Sequence, residues 1–149
     1  MITSQPLNDL LKRTEFVPQA VIAEDVEELA RRNNLKIESG KDDFDKYTGA
    51  GALSDVLNMY FALMHYAGHP DRTTSIYLPF HVQDVTMITK AVTHITQELG
   101  VASLIKWQRK DEYAGRHTLA AALVEIFRRL EHLLGRLRAH LEGRAHGRS

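Results

Sequence analysis

The sequence predicts an α/β fold: a small three-stranded, at least partly parallel sheet flanked by helices, followed by a long amphipathic C-terminal helix. Three observations predict it. Helix-like and strand-like patterns alternate from residue 23 onward, which favours helices layered on a sheet. The segments between strand-like runs are long enough to cross over and pair strands in parallel. Composition and period both change after residue 112. The alternative reading is an α+β arrangement with an antiparallel edge strand.

The elements follow in chain order. Residues 4–13 read as a short helix with Ser4 as N-cap and Pro6 near its start, and the stretch 16–18 breaks it. Residues 23–33 (AEDVEELARRN) are acidic at the start and basic at the end, as a helix dipole prefers. Residues 35–39 (LKIES) alternate like a strand, and residues 40–51 (GKDDFDKYTGAG) read as a polar loop. In residues 52–67, Leu53, Val56, Leu57, Tyr60 and Met64 recur at helical spacing, and Gly68 and Pro70 stop the pattern. Residues 73–80 (TTSIYLPF) form a strand with Pro79 near its end or at a bulge. Residues 82–99 are a helix with Val85, Ile88, Val92, Ile95 and Leu99 as its stripe and Gly100 as its stop. Residues 101–107 (VASLIKW) are a third strand. The final helix runs over residues 118–142.

The chain has 149 residues and no cysteine, so disulfides, thiolate catalysis and cysteine-held zinc are excluded. Its longest apolar runs are far below the roughly 20 residues that span a bilayer. The start, MITSQPLNDLLKR, has no basic-then-apolar leader pattern. A cytoplasmic protein is expected. Net charge is zero but polarised: residues 1–112 carry 12 Lys and Arg against 16 Asp and Glu, and residues 113–149 carry seven Arg against three Glu. The predicted organisation is therefore an α/β domain over residues 1–112 and an Arg/Leu-rich helix and tail over 113–149.

His65 and His69, four apart, would share one face of a helix, as metal-binding histidines do. Gly68 and Pro70 end the predicted helix there, and the eight residues that follow carry His81 away to the other end of the sheet. The two rings are read as partial cations at a helix carbonyl end, and no metal, catalytic constellation or cofactor is expected. The same distances collect other groups at one sheet edge. Thr48, Gly49 and Gly51 precede one predicted helix, His81 precedes the next, and Arg109 and Lys110 follow the third strand. Helix N-termini, glycines and cations suit a phosphate or carboxylate.

The C-terminal segment is the most patterned part of the chain. Leu119, Leu123, Ile126, Leu130, Leu133 and Leu137 follow the 4-3 spacing of a heptad seam. A second seam runs through Phe127, Leu134 and Leu141. Residues 118–142 would extend about 37 Å as a helix, against a diameter of roughly 34 Å for the rest of the chain. That much apolar surface on so long a helix predicts self-association, with a dimer as the simplest closed assembly. Arg128, Arg129, Arg136 and Arg138 fall on the opposite face, available to an acidic macromolecular partner; nucleic acid fits the charge, but no basic-aromatic signature accompanies it.

The expected function is a non-enzymatic binding or regulatory module that homo-oligomerises through its C-terminal helix and recognises a macromolecule. The alternative is a small enzyme or sensor that binds a phosphorylated or carboxylated molecule at the sheet edge.

Overall fold

The computed structural model describes residues 1–110. These residues build a seven-stranded antiparallel sheet with three helices. The order is β1 (Ile2–Gln5), α1 (Leu7–Arg13), β2 (Phe16–Ile22), α2 (Val26–Arg32), β3 (Ile37–Lys41), β4 (Lys46–Ser54), β5 (Met59–Tyr66), β6 (Thr74–Pro79), α3 (Val85–Glu98) and β7 (Ile105–Gln108). The predicted three-stranded, partly parallel sheet is therefore wrong, and every pairing is antiparallel. Across the sheet the strands lie β1-β4-β5-β6-β2-β7, with β3 beside β4 in line with β1.

The largest correction falls on residues 40–67. The predicted loop and helix are a long hairpin, β4 and β5, paired from Tyr47–Tyr66 to Ser54–Met59. Its turn is the SDVLN segment. Asn58 takes a left-handed conformation (φ 46°), which asparagine tolerates better than most residues. Val56, placed in the helical stripe by spacing, is 66% exposed at this turn. Phe61, Ala62, Leu63 and Met64 are all buried, because β5 is central and covered on both faces. A strand buried on both sides loses its two-residue alternation, and Ala, Leu and Met then imitate a helix.

Two more strands went unseen in the sequence. Ser4 lies in β1 rather than capping a helix. The stretch read as a breaker, 16–18, starts β2, and Pro18 sits at a register shift between Pro18 and Ala20. A bulge is one of the few places where a sheet accepts proline. Other elements match their prediction in type, except that Ala102–Leu104 of the predicted third strand is a short 3-10 helix and the strand itself is Ile105–Gln108. Asp25 caps α2, accepting N–H bonds from Glu27 and Glu28. Ile88, Val92, Ile95 and Leu99 of the α3 stripe are buried, and Gly100 follows with φ 71°. Pro79 is the last residue of β6. The C-terminal seam, Leu119 to Leu137, and the arginines Arg128 to Arg138 lie outside the described residues. Among the described residues no helix is long and apolar enough to cross a membrane.

The two faces of the sheet are covered unequally. On one, Ala20, Ile22, Ala50, Ala52, Phe61, Leu63, Ile76 and Leu78 meet Val26, Leu29 and Ala30 of α2 and Ile88, Val92 and Ile95 of α3. On the other, Leu7 of α1 packs with Tyr47, Ala62 and Met64, bordered by Leu11, Tyr66 and Tyr77. Helix α1 sits hard against β4, and the sequence allows it with glycine. A Cβ on Gly51 would lie 2.8 Å from the Gln5 carbonyl oxygen, 2.9 Å from Leu10 and 3.0 Å from the Leu7 backbone. Gly51→Ala is therefore expected to lower stability by about 2 kcal/mol through overpacking. Urea denaturation would show it as an earlier midpoint at unchanged slope. Asp25→Ala should cost about 1 kcal/mol as a lost cap.

Candidate functional site

Helix α1 is only seven residues long and covers β4, leaving the neighbouring strands of that face open. A cleft of about 1140 Å³ remains. Its walls are α1 (Asn8, Leu11), the start of β2 (Phe16 to Pro18) and the β3–β4 turn (Asp42 to Phe44). Its floor is Met64, Tyr66 and Tyr77. Three strands deliver the tyrosines to one face by register. Tyr47 pairs with Tyr66, and Tyr77 pairs with Ala62 and Pro18. Side chains on paired antiparallel residues share a face.

Tyr47 and Tyr66 are each held. Tyr47 crosses Gly40, its partner on β3, where any Cβ would collide with the phenol. Its hydroxyl donates to Asn8 Oδ1 at 2.9 Å. Tyr47 and Tyr66 meet edge to face, with ring centroids 6.2 Å apart, an arrangement aromatic quadrupoles favour. Tyr66 donates to Asp42 Oδ2 at 2.6 Å, and Tyr77 lies on the same face of the neighbouring strand. Asp42 Oδ1 accepts the backbone N–H groups of Phe44 at 2.9 Å and Asp45 at 3.1 Å. Across the cleft wall, Glu38 accepts the Asn8 N–H at 2.9 Å and pairs with Lys36 at 3.0 Å. That carboxylate fixes the start of α1, which Pro6 leaves without a side-chain cap.

These contacts set the protonation states. Burial alone would raise the Asp42 pKa, but hydrogen bonds from Tyr66, Asp45 and Phe44 outweigh it and hold the carboxyl below its ordinary range. Burial, then the bond to Asp42, pushes Tyr66 well above a free phenol. Burial, then the Asp42 charge, also raises Tyr77 and Tyr47. At neutral pH the cleft thus holds a fixed carboxylate and neutral phenols.

The sequence-predicted sheet-edge residues lie elsewhere. Thr48, Gly49 and Gly51 are in β4, not in a loop before a helix. Thr48 faces Ser39 across the β3–β4 pair, hydroxyls 3.3 Å apart, and Gly49 and Gly51 are buried beneath α1. His81 is exposed in the turn between β6 and α3. Arg109 and Lys110 follow β7, and the Arg109 N–H donates to the Gln19 carbonyl. Strands β6 and β7 flank β2 and leave the sheet at the same end, so His81, Arg109 and Lys110 share that end. Gly49 and Thr48 sit two strands from β6. His65 lies in β5 rather than at a helix end; its Nδ1 is 2.9 Å from the Thr73 carbonyl, and its ring is 6.4 Å from that of His69. Among the described residues no three His, Asp or Glu side chains are grouped to hold a metal ion.

Sequence reasoning missed the cleft because it placed Tyr47 in a loop and Tyr66 on a helix. No protein-family model, curated protein or solved structure matches the chain.

The Asp42 shift has a definite sign. A depressed carboxyl contributes stability above its unfolded pKa and loses that contribution as pH falls through the folded value. Tyr66→Phe removes one stabilising donor. It is expected to raise the Asp42 titration midpoint, read by carboxyl carbon NMR, and to cost about 1 kcal/mol at pH 7. The difference from wild type should shrink once Asp42 is protonated in acid. Equal Asp42 midpoints in the two proteins would contradict the assignment.

Proposed function

We propose that the chain is a cytoplasmic, non-enzymatic binding and regulatory module that takes a peptide segment of a partner protein in the tyrosine-floored cleft and self-associates through its C-terminal segment. The observation that carries the reading is the cleft's composition: rigid aromatic side chains over an apolar floor, with a few polar groups already oriented by internal hydrogen bonds. Rigid aromatics with placed polar groups are the makeup of binding hot spots. A volume of about 1140 Å³ exceeds the roughly 300–1,000 Å³ typical of small-molecule pockets and accommodates several residues of a peptide. Proton-transfer chemistry is disfavoured on the same grounds. A general acid or base works best with a pKa near the operating pH, and here the carboxyl is shifted down and the phenols up, both away from neutrality.

Phe44 supports binding independently. It stands at the tip of the β3–β4 turn, on the cleft rim, and is 89% exposed. An aromatic ring held over an open cleft gains burial only when something enters. Self-association rests on the leucine seam through Leu123, Ile126, Leu130, Leu133 and Leu137, with Arg128, Arg129, Arg136 and Arg138 on its polar side for an acidic partner.

Peptides selected from a displayed random library against the full chain are expected to perturb the NMR signals of Tyr66, Tyr77 and Phe44. Phe44→Ala should weaken them about tenfold without loss of stability, because the ring packs on little. Selected peptides that leave these signals unmoved would refute the cleft. For self-association, light scattering of the full chain should exceed the monomer mass of 16.9 kDa, and Leu130→Asp with Leu137→Asp should return it to that value. A monomeric wild-type chain at micromolar concentration would remove this half of the proposal.

A further inference from the structure

Among the described residues, the cleft holds a negative charge that no cation pairs. Its other charged residues, Lys12, Glu15, Lys41 and Asp43, are all exposed, two of each sign, and they balance at the rim. Asp42 is the fifth, and it is half-buried. Three of the roughly four acceptor positions of its carboxylate are filled, by the Tyr66 hydroxyl and the N–H groups of Phe44 and Asp45. None of those donors carries a formal charge, and among the described residues no Lys, Arg or His lies within ion-pairing distance of Asp42. Among the described residues, Asp25 and Asp45 are also half-buried without an ion pair, but neither lines the cleft, and three further half-buried carboxylates each face a cationic group. Glu24 faces Arg32, Glu38 faces Lys36, and Glu98 faces His94.

Five aromatic rings line the same cleft, Phe16, Phe44, Tyr47, Tyr66 and Tyr77, and the Tyr66 hydroxyl touches the carboxylate. An apolar ligand closing over them would strip water from an uncompensated anion, which is heavily unfavourable. A cation removes that penalty and gains attraction to the ring faces as well. A guanidinium fits better than an ammonium, being planar, weakly hydrated and able to stack on an aromatic face while donating to a carboxylate. We infer that the segment taken by the cleft presents an arginine side chain, its guanidinium against the open acceptor position of Asp42 and its stem along the rings of Tyr66 and Phe44. The inference rests on the reading of the cleft as a peptide-binding site.

The test uses the full chain and three probes: Nα-acetyl-arginine methylamide, its neutral isostere Nα-acetyl-citrulline methylamide, and Nα-acetyl-norleucine methylamide. NMR titration of the arginine probe should give saturable shifts at Tyr66 and Phe44, with citrulline binding about fivefold more weakly. In Asp42→Asn the ratio should fall to about one while circular dichroism keeps the wild-type spectrum. Should that variant fail to fold, salt serves instead: going from ~50 to ~500 mM should weaken the arginine probe in wild type and leave norleucine unchanged. Equal binding of arginine and citrulline, a preference that survives in Asp42→Asn or in high salt, or no saturable shift with arginine would each overturn the inference. Peptides selected at the cleft without basic residues would overturn it while sparing the binding role. Selected peptides that do not touch the cleft would remove both.

Discussion

The close seating of α1 on β4 is the constraint from which the rest of this structure follows. A seven-stranded sheet exposes two apolar faces, and in the described residues two helices cover one of them. The other receives a single helix of two turns. So short a helix stabilises little by itself, and its contribution comes from burying Leu7 completely at the shortest possible distance from the sheet. Gly49 and Gly51 supply that distance. A side chain at either position would lift α1 from β4 and unseat Leu7.

From this seat the cleft is a geometric consequence. With α1 drawn to β4, the Tyr66 end of β5 and the strand β6 on the same face lie beyond its cover. Their outward residues must suit a surface that is apolar below and wet above. Tyrosine meets that demand, since its ring packs and its hydroxyl finds a partner. Tyr47 returns the favour to α1 through Asn8, Tyr66 ties the floor to the β3–β4 turn through Asp42, and Glu38 ties β3 back to the first turn of α1. Helix, turn and floor are thereby linked by three hydrogen bonds, each between elements far apart in sequence. A change at any of them is felt at the same cleft.

Legibility in the sequence divided along physical lines. Elements governed by local chemistry could be read: α2 from its charge gradient, α3 from its apolar stripe and Gly100, β6 from its alternation and terminal Pro79. Elements governed by position in the sheet could not. In β5 the MYFALM run is buried on both faces, so nothing in its pattern distinguishes a central strand from a buried helix. Pro18 looked like a breaker because a bulge cannot be foreseen from one strand alone. Treating residues 52–67 as a helix then had a compounding effect. It turned a hairpin into a crossover, made the sheet parallel and moved Thr48, Gly49 and Gly51 into a loop. The glycines were noticed for the right property, close approach, but what approaches them is Leu7 and Leu10. The cleft itself needed three strands in register, and only one of those three was assigned.

On the proposed binding role, the β3–β4 turn gives a physical reason for the cleft to suit holding rather than reacting. Asp42 spends one carboxylate oxygen on the N–H groups of its own turn and so fixes the loop that carries Phe44. Its other oxygen orients Tyr66. A residue that performs both tasks cannot change protonation without loosening the wall and the floor together, because protonation would weaken all three bonds it accepts. Chemistry by proton transfer would therefore disturb the site at every turnover. A static electrostatic role carries no such cost: the carboxylate stays charged, the phenols stay neutral, and the turn keeps its shape whether the cleft is empty or filled. Preorganisation of this kind reduces what must be ordered on binding, and it concentrates the remaining freedom in Phe44, the one ring of the cleft that stands almost wholly in water.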